Sequence, residues 1–361
     1  MGNAHIYLLV FCVSVVLGLL LNRFFLTRNM SFLIKKANKD AIRWSSQSKP
    51  IFGGISFFSL FIIAMIAYLF IYGYEAALSK EYLALLVSIT ISFIMGLADD
   101  LISTPPYFKF LVQLLVAAIF IYSDIYIIIS PIAWLNYLIT VIWVVGIMNS
   151  INMLDNMDAI TSSVSLSIIF SVVIFVLLGT THISTELSVL IAVVFCGALI
   201  SFLFYNWHPS KMYMGDNGSQ ILGSFLAFLG IIYFWNGINI VEASYALNTK
   251  QIAIVASAFI IPLTDTTSVS INRILKGKSP FVGGRDHTTH HLSYLGLPER
   301  YIAILLLSLN SVGIFLAYKI IMHNNWSNKY FWLYLIYPVA VFIILYSITK
   351  IFKPKKQNDK K

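Results

Sequence analysis

Leu187 to Tyr205 reads LSVLIAVVFCGALISFLFY, the polar connection NWHPSKMYMGDNG runs from Asn206 to Gly218, and Ser219 to Trp235 continues SQILGSFLAFLGIIYFW. Each apolar run comes close to the ~20 residues a helix needs to cross a bilayer. Between them an acid sits among glycines, immediately before the second run. The same layout recurs along the chain. Apolar runs fall near 6–26, 51–71, 82–98, 109–122, 132–148, 159–178, 187–205, 219–235, 251–272, 301–321 and 331–350. Of 361 residues, 59% are hydrophobic and 11% charged, well below the roughly 25% charged residues of a soluble domain. The expectation is an all-α polytopic membrane protein of about eleven transmembrane helices, a single integral-membrane domain over 1–361. The first run has no basic residue ahead of it and exceeds the ~7–15-residue apolar core of a signal peptide, so it is expected to be a retained helix. The fourth is the shortest, with Phe110 to Tyr122 uninterrupted before Ser123 and Asp124, and residues 125–129 suit a short extended piece in the loop beyond. Cys12 and Cys196 both lie in apolar helical sequence and read as buried small hydrophobes rather than a disulfide or metal pair.

Lysine and arginine placement orients the bundle. Of the 24 basic residues, 20 fall in 27–50, 206–218, 273–300, the segment from Lys350 onward, or at the flanking Arg23 and Lys109; Lys80, Lys250, Lys319 and Lys329 do not. Under the positive-inside rule this predicts the N-terminus outside and the C-terminus cytoplasmic. The net charge of +9 then reflects topology and attraction to anionic membrane lipids at Lys35, Lys36, Lys39 and the KPKK run, and calls for no nucleic acid. Trp44, Trp134, Trp207, Trp235 and Trp326 lie near span ends, as in an interfacial belt.

On this count four polar motifs share the cytoplasmic face. The first is Gly96-Leu97-Ala98-Asp99-Asp100. Adjacent carboxylates at a membrane boundary are costly unless they meet water, a cation or a metal, and Lys109 is the candidate partner; a solvated helix cap is the alternative. In Asn149 to Asp158, Asn149, Asn152, Asp155 and Asp158 recur every third residue. That spacing drifts slowly round a helix, so neighbours can converge on one ligand, and their oxygens suit Mg²⁺ or sugar hydroxyls; a polar turn between helices is the alternative. In Met214 to Ser219, glycine permits close approach of a ligand, Ser219 can cap the helix, and the helix N-terminus favours phosphate. An ordinary turn is the alternative. Finally, His287, His290 and His291 are expected in a loop with Arg273, Lys276, Lys278 and Arg285, a set suited to a diphosphate. Zinc competes, but neither HExxH nor cysteine ligands accompany the histidines.

This order of motifs resembles the polyprenyl-phosphate N-acetylhexosamine-1-phosphate transferases, the family that includes phospho-N-acetylmuramoyl-pentapeptide transferase. The resemblance runs from Pro50-Ile51-Phe52-Gly53-Gly54 to Leu297. It includes GLADD followed by Lys109 and Gln113, the NxxNxxDNxD run, Asn206 ten residues before Asp216, and Pro262, Asp265, Arg273 and Ser279-Pro280-Phe281 ahead of the histidines. The sequences HTTHHL and SKPIFGG, with Asp265, the SPF stretch and a cytoplasmic C-terminus after an eleventh span, look like the branch that begins lipid-linked polysaccharides. The chain departs from the pattern at three places. Two residues separate His287 from His290 where many relatives have one, Lys49 or Arg43 replaces a lysine nearer the glycine pair, and Asn156 follows Asp155 where glycine is usual.

The resemblance implies transfer of a sugar-1-phosphate from a UDP-N-acetylhexosamine to undecaprenyl phosphate, releasing UMP, with Mg²⁺ as cofactor and Mn²⁺ as the alternative ion. It implies metal binding at Asp216 with Asn152, and Asp99 and Asp100 as catalytic residues at the lipid phosphate. Lys49, Lys109, Asn149, Asp155, Asp158, Asn206, Arg285, His287, His290 and His291 would bind substrate. A bacterial cell membrane with the site on its cytoplasmic face is implied, a role in cell-wall polysaccharide biosynthesis follows, and a homodimer is compatible. The alternatives are the muropeptide-transferring activity and, from another class, an ion-coupled transporter, since intramembrane acids such as Asp265 often mark ion paths.

Overall fold

A backbone in lipid satisfies its polar groups only by coiling on itself or closing a barrel, and the long apolar runs here take the first route. The computed structural model describes residues 4–28, 49–180, 185–237, 249–279 and 284–353, and the described residues are helical with short connections. In chain order the helices are α1 (Ala4–Thr27), α2 (Gly53–Tyr72), α3 (Lys80–Ile102), α4 (Pro106–Tyr122), α5 (Ala133–Leu154), α6 (Ile160–Leu177) and α7 (Glu186–Asn206). They continue with α8 (Asp216–Leu229), α9 (Thr249–Ala258), α10 (Ile260–Ile274), α11 (Thr288–Tyr294), α12 (Glu299–Ile321) and α13 (Asn328–Ile351). A π-helical turn, Gly230–Trp235, extends α8.

Local chemistry sets the helix ends. The Ser79 hydroxyl accepts from the Tyr82 amide, and Thr185 accepts from the Ser188 amide, each at 3.2 Å; these caps satisfy otherwise orphaned first-turn donors. Pro106 opens α4 at a position where no amide hydrogen is needed.

Among the described residues nine helices are long and apolar enough to cross a membrane, and α9 with α10 makes a tenth if counted as one broken span. The eleventh expected run is α4, which at 17 residues is shorter than each of those nine spans. The expectation of one continuous helix over 251–272 is corrected. The chain bends by 85° between α9 and α10, around Phe259. Pro262 lacks the amide hydrogen that would bond the Ala258 carbonyl, and its ring clashes there.

Burial is inverted relative to a soluble bundle at the periphery. In α1 the buried residues are Ser14, Gly18 and Asn22, one small or polar stripe at helical spacing, while Leu8, Leu9, Val16 and Leu20 are exposed. That is a helix whose outer face meets lipid and whose small residues let a neighbour approach. Cys12 is exposed on this outer face, a correction to its expected burial; Cys196 is buried. At the centre, every residue of α8 from Asn217 to Leu229 is buried, with α2, α3, α5 and α6 packed around it. Trp235 belongs to this core, edge-on to Trp143 at 5.6 Å, and not to an interfacial belt; Trp134 is exposed, and Trp44 lies outside the described residues.

The segment 50–54 lies along 213–214: the Tyr213 amide donates to the Pro50 carbonyl at 2.9 Å, and the Gly53 and Gly54 amides donate to the Tyr213 and Met214 carbonyls at 3.3 and 3.2 Å. Residues 125–129 are non-helical, as expected, with the amides of Ile127 and Ile129 bonded to the Thr140 and Asn136 side chains.

Candidate active site

Asp99 and Asp100 lie in the last turn of α3, not beyond it, and point to different partners. Ser103 closes α3 in the left-handed conformation at φ 54°, returning the chain so that the Thr104 amide and hydroxyl donate to Asp99 Oδ1 at 2.8 and 2.6 Å. Lys109, in the first turn of α4, places its ammonium 2.6 Å from Asp99 Oδ2 and 3.1 Å from Asp216 Oδ2. One lysine thus bridges carboxylates contributed by two other helices. The approach of α3 to α8 depends on Gly96, where a Cβ would lie 2.3 Å from the Asp216 carbonyl oxygen.

Asp100 holds the turn that presents Asp216. Its Oδ1 accepts from the Asp216 amide at 3.1 Å, and its Oδ2 accepts from the amide and side-chain nitrogen of Asn217 at 3.0 and 2.6 Å. A carboxylate here does the work of an N-cap, satisfying the first amides of α8 and opposing the positive end of its dipole. Gly215 makes the turn possible at φ 80°, a conformation that strains other residues. Ser219 was expected to cap this helix. Instead α8 begins three residues earlier, and the Ser219 hydroxyl donates to Asn152 Oδ1 at 3.3 Å, joining α8 to α5.

The Asn/Asp ladder splits rather than converging whole. Asn149 and Asn152 are on α5, half-buried; Asp155 is the residue after the helix, at φ −76° and ψ 54°. Its carboxyl is buried and adjoins Asp216, Asp100 and Asp158, which together push it up to about 8. Asp158 precedes Ala159, which has a positive φ of 64° at the start of α6, and has its own set of partners. Its oxygens accept from the Ser210 hydroxyl and amide at 2.8 and 3.0 Å, with His208 Nδ1 at 3.1 Å and Lys49 Nζ at 3.8 Å. Lys49 also donates to the Ser210 hydroxyl at 3.0 Å and lies over the Tyr213 ring. Asn206 accepts from the Ala159 amide and Ser162 hydroxyl at 3.1 and 2.9 Å and donates to the Met212 carbonyl at 3.0 Å. Lys49, Asp158 and Asn206 therefore fasten the loop that leads to Asp216.

The histidine segment is a helix, not a loop. His287 is the N-cap of α11, and its Nδ1 lies 2.8 Å from Asp265 Oδ2, while the Thr288 amide and hydroxyl donate to Asp265 Oδ1 at 2.8 and 2.6 Å. Asp265 is thereby paired within the protein. His291 donates from Nδ1 to the Phe352 carbonyl at the end of α13. Burial and the neighbouring His287 push His290 down to about 3, and burial also lowers His291, so neither is cationic at neutral pH. Positive charge in this region comes instead from Arg285, which is exposed, and from Arg273, whose guanidinium forks onto Asp286 at 2.9 and 2.7 Å.

Two groups of side chains could hold a divalent ion, with different chemistry. Asp158, His208 and Glu299 place three ligand atoms within 4.8 Å of one another. Here, however, the Lys49 ammonium already supplies charge, and a ring nitrogen suits zinc or another transition metal better than Mg²⁺. The second set, Asp216 with Asn152 and the neighbouring Asp155, offers only oxygen donors: Asn152 Oδ1 accepts from Ser219 on the same helix as Asp216, and Asp155 adjoins Asp216 and Asp100. Asp216 shares the Lys109 ammonium with Asp99, two carboxylates to one cation. Oxygen donors of this kind suit Mg²⁺.

Thr104, Asn217, His208 and Glu299 are partners that sequence reading did not single out. Asn217 carried a usable signal, since it lies within the MGDNGS motif; His208 and Glu299 are brought together only by the fold.

Residues 82–234 match the family described as Glycosyl transferase family 4. That span contains the α3, α4, α5 and α8 residues of the site and excludes α11. The chain is 28% identical over 226 residues to a probable undecaprenyl-phosphate N-acetylglucosaminyl 1-phosphate transferase of Bacillus subtilis, covering 60% of each. It is 30% identical over 173 residues to a phospho-N-acetylmuramoyl-pentapeptide-transferase of Kosmotoga olearia, covering 47% of each. With a decaprenyl-phosphate N-acetylglucosaminephosphotransferase of Mycobacterium leprae it shares 26% identity over 282 residues, 71% of this chain and 69% of the relative. The match thus spans less than two thirds of the length of the first two relatives.

Proposed function

We propose that this chain, whose residues 82–234 match glycosyl transferase family 4, is a member of that family and transfers an N-acetylhexosamine-1-phosphate from a UDP-sugar to undecaprenyl phosphate at the cytoplasmic face of a bacterial membrane. The supporting observation is the meeting of Asp99, Lys109 and Asp216, from three helices, within 3.1 Å of one ammonium, with Asp155 alongside. In the reaction an oxygen of the lipid phosphate attacks the sugar-bearing phosphorus of the UDP-sugar, the bond to the bridging oxygen breaks, and UMP leaves with that oxygen. Two anions must meet, so the site has to neutralise charge rather than generate a strong nucleophile; the lipid phosphate is already ionised at neutral pH.

Mg²⁺, held by Asp216 with Asn152 and Asp155, would offset charge on the diphosphate and on the departing UMP. Lys109 adds a fixed positive charge on the same side, kept in place by Asp99, which is itself fixed by Thr104. Asp100 acts as a positioning residue: it holds the amides of Asp216 and Asn217 and so aims the Asp216 carboxylate. His290, neutral, contributes hydrogen bonding to the diphosphate, and Arg285 adds charge at the rim. The basic-residue bias supports a cytoplasmic location for this end of the bundle, where UDP-sugars are soluble and the lipid phosphate lies in the adjoining leaflet.

The names of the Bacillus and Mycobacterium relatives support the polysaccharide-initiating branch over muropeptide transfer. An ion-coupled transporter is disfavoured, because transporter sites lie near the bilayer midplane and these acids gather at helix ends. Purified protein incubated with Mg²⁺, undecaprenyl phosphate and a panel of UDP-sugars should release UMP with a UDP-N-acetylhexosamine and stop with EDTA. UMP release only with UDP-N-acetylmuramoyl-pentapeptide would move the chain to the other branch, and no release with any would overturn the proposal.

A further inference from the structure

Asp155 occupies an unusual piece of backbone. The Asn156 amide donates to the Leu154 carbonyl at 2.8 Å, which with φ −76° and ψ 54° at Asp155 makes an inverse γ-turn, a tight bend whose central residue is pushed outward. Such a turn at a helix C-terminus leaves carbonyls unsatisfied. The Asn156 side chain addresses one of them, donating through Nδ2 to the Met153 carbonyl at 2.9 Å. Its other atom, Oδ1, accepts the hydroxyl of Thr289 at 2.6 Å. Thr289 is fully buried and lies on α11, beside the Thr288 and His287 that bond Asp265 and one residue before His290.

The same side chain therefore closes the turn that carries Asp155 and ties it to the histidine helix. On the other side of α11, His291 is joined to the Phe352 carbonyl and Asp286 to Arg273. The helix is fixed to α10 and α13 whether or not Thr289 is present. The Thr289 bond reaches from α11 to the turn after α5.

We propose that Asn156 and Thr289 form a positioning pair that sets the Asp155 turn and the histidine helix at a fixed separation, so that metal-side and diphosphate-side groups grip one substrate together. The inference rests on the proposed reaction for its catalytic consequence, but not for the clamp itself. Neither residue touches substrate; each acts through its neighbour in sequence. A buried neutral hydrogen bond between two separate elements is worth roughly tenfold in a rate that depends on their alignment.

The test uses full-length protein in lipid nanodiscs. Thr289→Val keeps the shape of the side chain and removes the hydroxyl; it should lower kcat about tenfold with a smaller change in KM for the UDP-sugar. Thr289→Ser should restore wild-type kcat. Asn156→Ala combined with Thr289→Val should be no slower than Asn156→Ala alone, since both remove one bond. Hydrogen–deuterium exchange supplies a reading independent of turnover. Thr289→Val should raise exchange in 153–159 and in 286–295 together, and Thr289→Ser should leave both protected. Unchanged exchange in 153–159 with Thr289→Val, a Ser variant as impaired as the Val one, or additive rate losses in the double variant would each overturn the pair. Failure of the wild-type protein to turn over any UDP-sugar would instead sink the proposed function, and the exchange comparison would still decide the clamp.

Discussion

Lys109→Met is the perturbation with the largest consequence to work out. The ammonium sits 2.6 Å from Asp99 and 3.1 Å from Asp216, and both carboxylates are largely shielded from water. At an effective dielectric near 20, one such contact at 3 Å amounts to roughly 5 kcal/mol of gross attraction. Desolvation of both partners cancels part of it, and breaking a buried pair by removing one member typically costs about 3–5 kcal/mol. Some of that loss falls on folding, because Asp99 is left facing Asp216 without a cation between them. The rest falls on catalysis, through a misdirected Asp216 and the missing charge near the transferred phosphoryl group. If about 3 kcal/mol reaches the transition state, kcat/KM falls by more than a hundredfold.

The sign of a second effect separates this account from a general loss of fold. Removing a positive charge beside oxygen donors should tighten their hold on Mg²⁺, so the Mg²⁺ concentration giving half-maximal rate should drop while the maximal rate collapses. The assay is UMP release across a Mg²⁺ titration in nanodiscs, with thermal unfolding of the same samples as control. Lys109→Arg, which keeps the charge but not the compact ammonium, should fall between the two. A Lys109→Met enzyme with wild-type kcat/KM, or one needing more Mg²⁺ than wild type, would refute the reasoning.

Three further outcomes follow from other parts of the structure. The Asp155 carboxyl, raised to about 8 by burial and the carboxylates of Asp216, Asp100 and Asp158, is bound to its proton more tightly in the folded than in the unfolded chain; metal-free protein should therefore lose stability as pH rises from about 4 through 8. Asp155→Asn should flatten that decline in melting experiments, and an equally steep decline would count against the placement. Gly96→Ala would set a Cβ 2.3 Å from the Asp216 carbonyl oxygen; by displacing the start of α8 it should cost about 1–3 kcal/mol of stability and most of the turnover, whereas Gly146→Ala, which meets open space, should cost neither. In a variant with Cys12 and Cys196 replaced, a cysteine at Ser79 should label from outside intact cells with an impermeant thiol reagent, and one at Arg285 should not; the reverse result would invert the proposed orientation.

The helical membrane architecture was legible because it follows from a one-dimensional quantity, the length of each apolar run against the thickness of a bilayer. The break at Phe259 was written in the sequence too, at Pro262, but a proline within an apolar run marks a kink without giving its angle. For the site, residue type revealed which motifs carry chemistry and not which partner each would meet. Asp99 and Asp100 are adjacent carboxylates with identical local signals, yet one binds an ammonium and the other the amides of α8, because neighbours on a helix point about 100° apart. The threefold spacing of the Asn/Asp ladder promised convergence and held only while the helix lasted. Past Leu154 the chain leaves the helix through the γ-turn, and Asp155 and Asp158 take different partners: Asp155 adjoins Asp216 and Asp100, while Asp158 accepts from Ser210.

The departures from the family pattern are where tertiary structure adds most. Asn156 and the second threonine of HTTHH are far apart in sequence and read separately as irregularities. In the fold they meet at 2.6 Å, so the extra residue on α11 and the asparagine after Asp155 form one contact. A glycine at 156 would have no side chain to offer, and Thr289 would then bury its hydroxyl without this acceptor, at a cost of about 1–3 kcal/mol. The two positions are thus constrained jointly. A substitution at either one should be tolerated better when the other changes with it than when it changes alone.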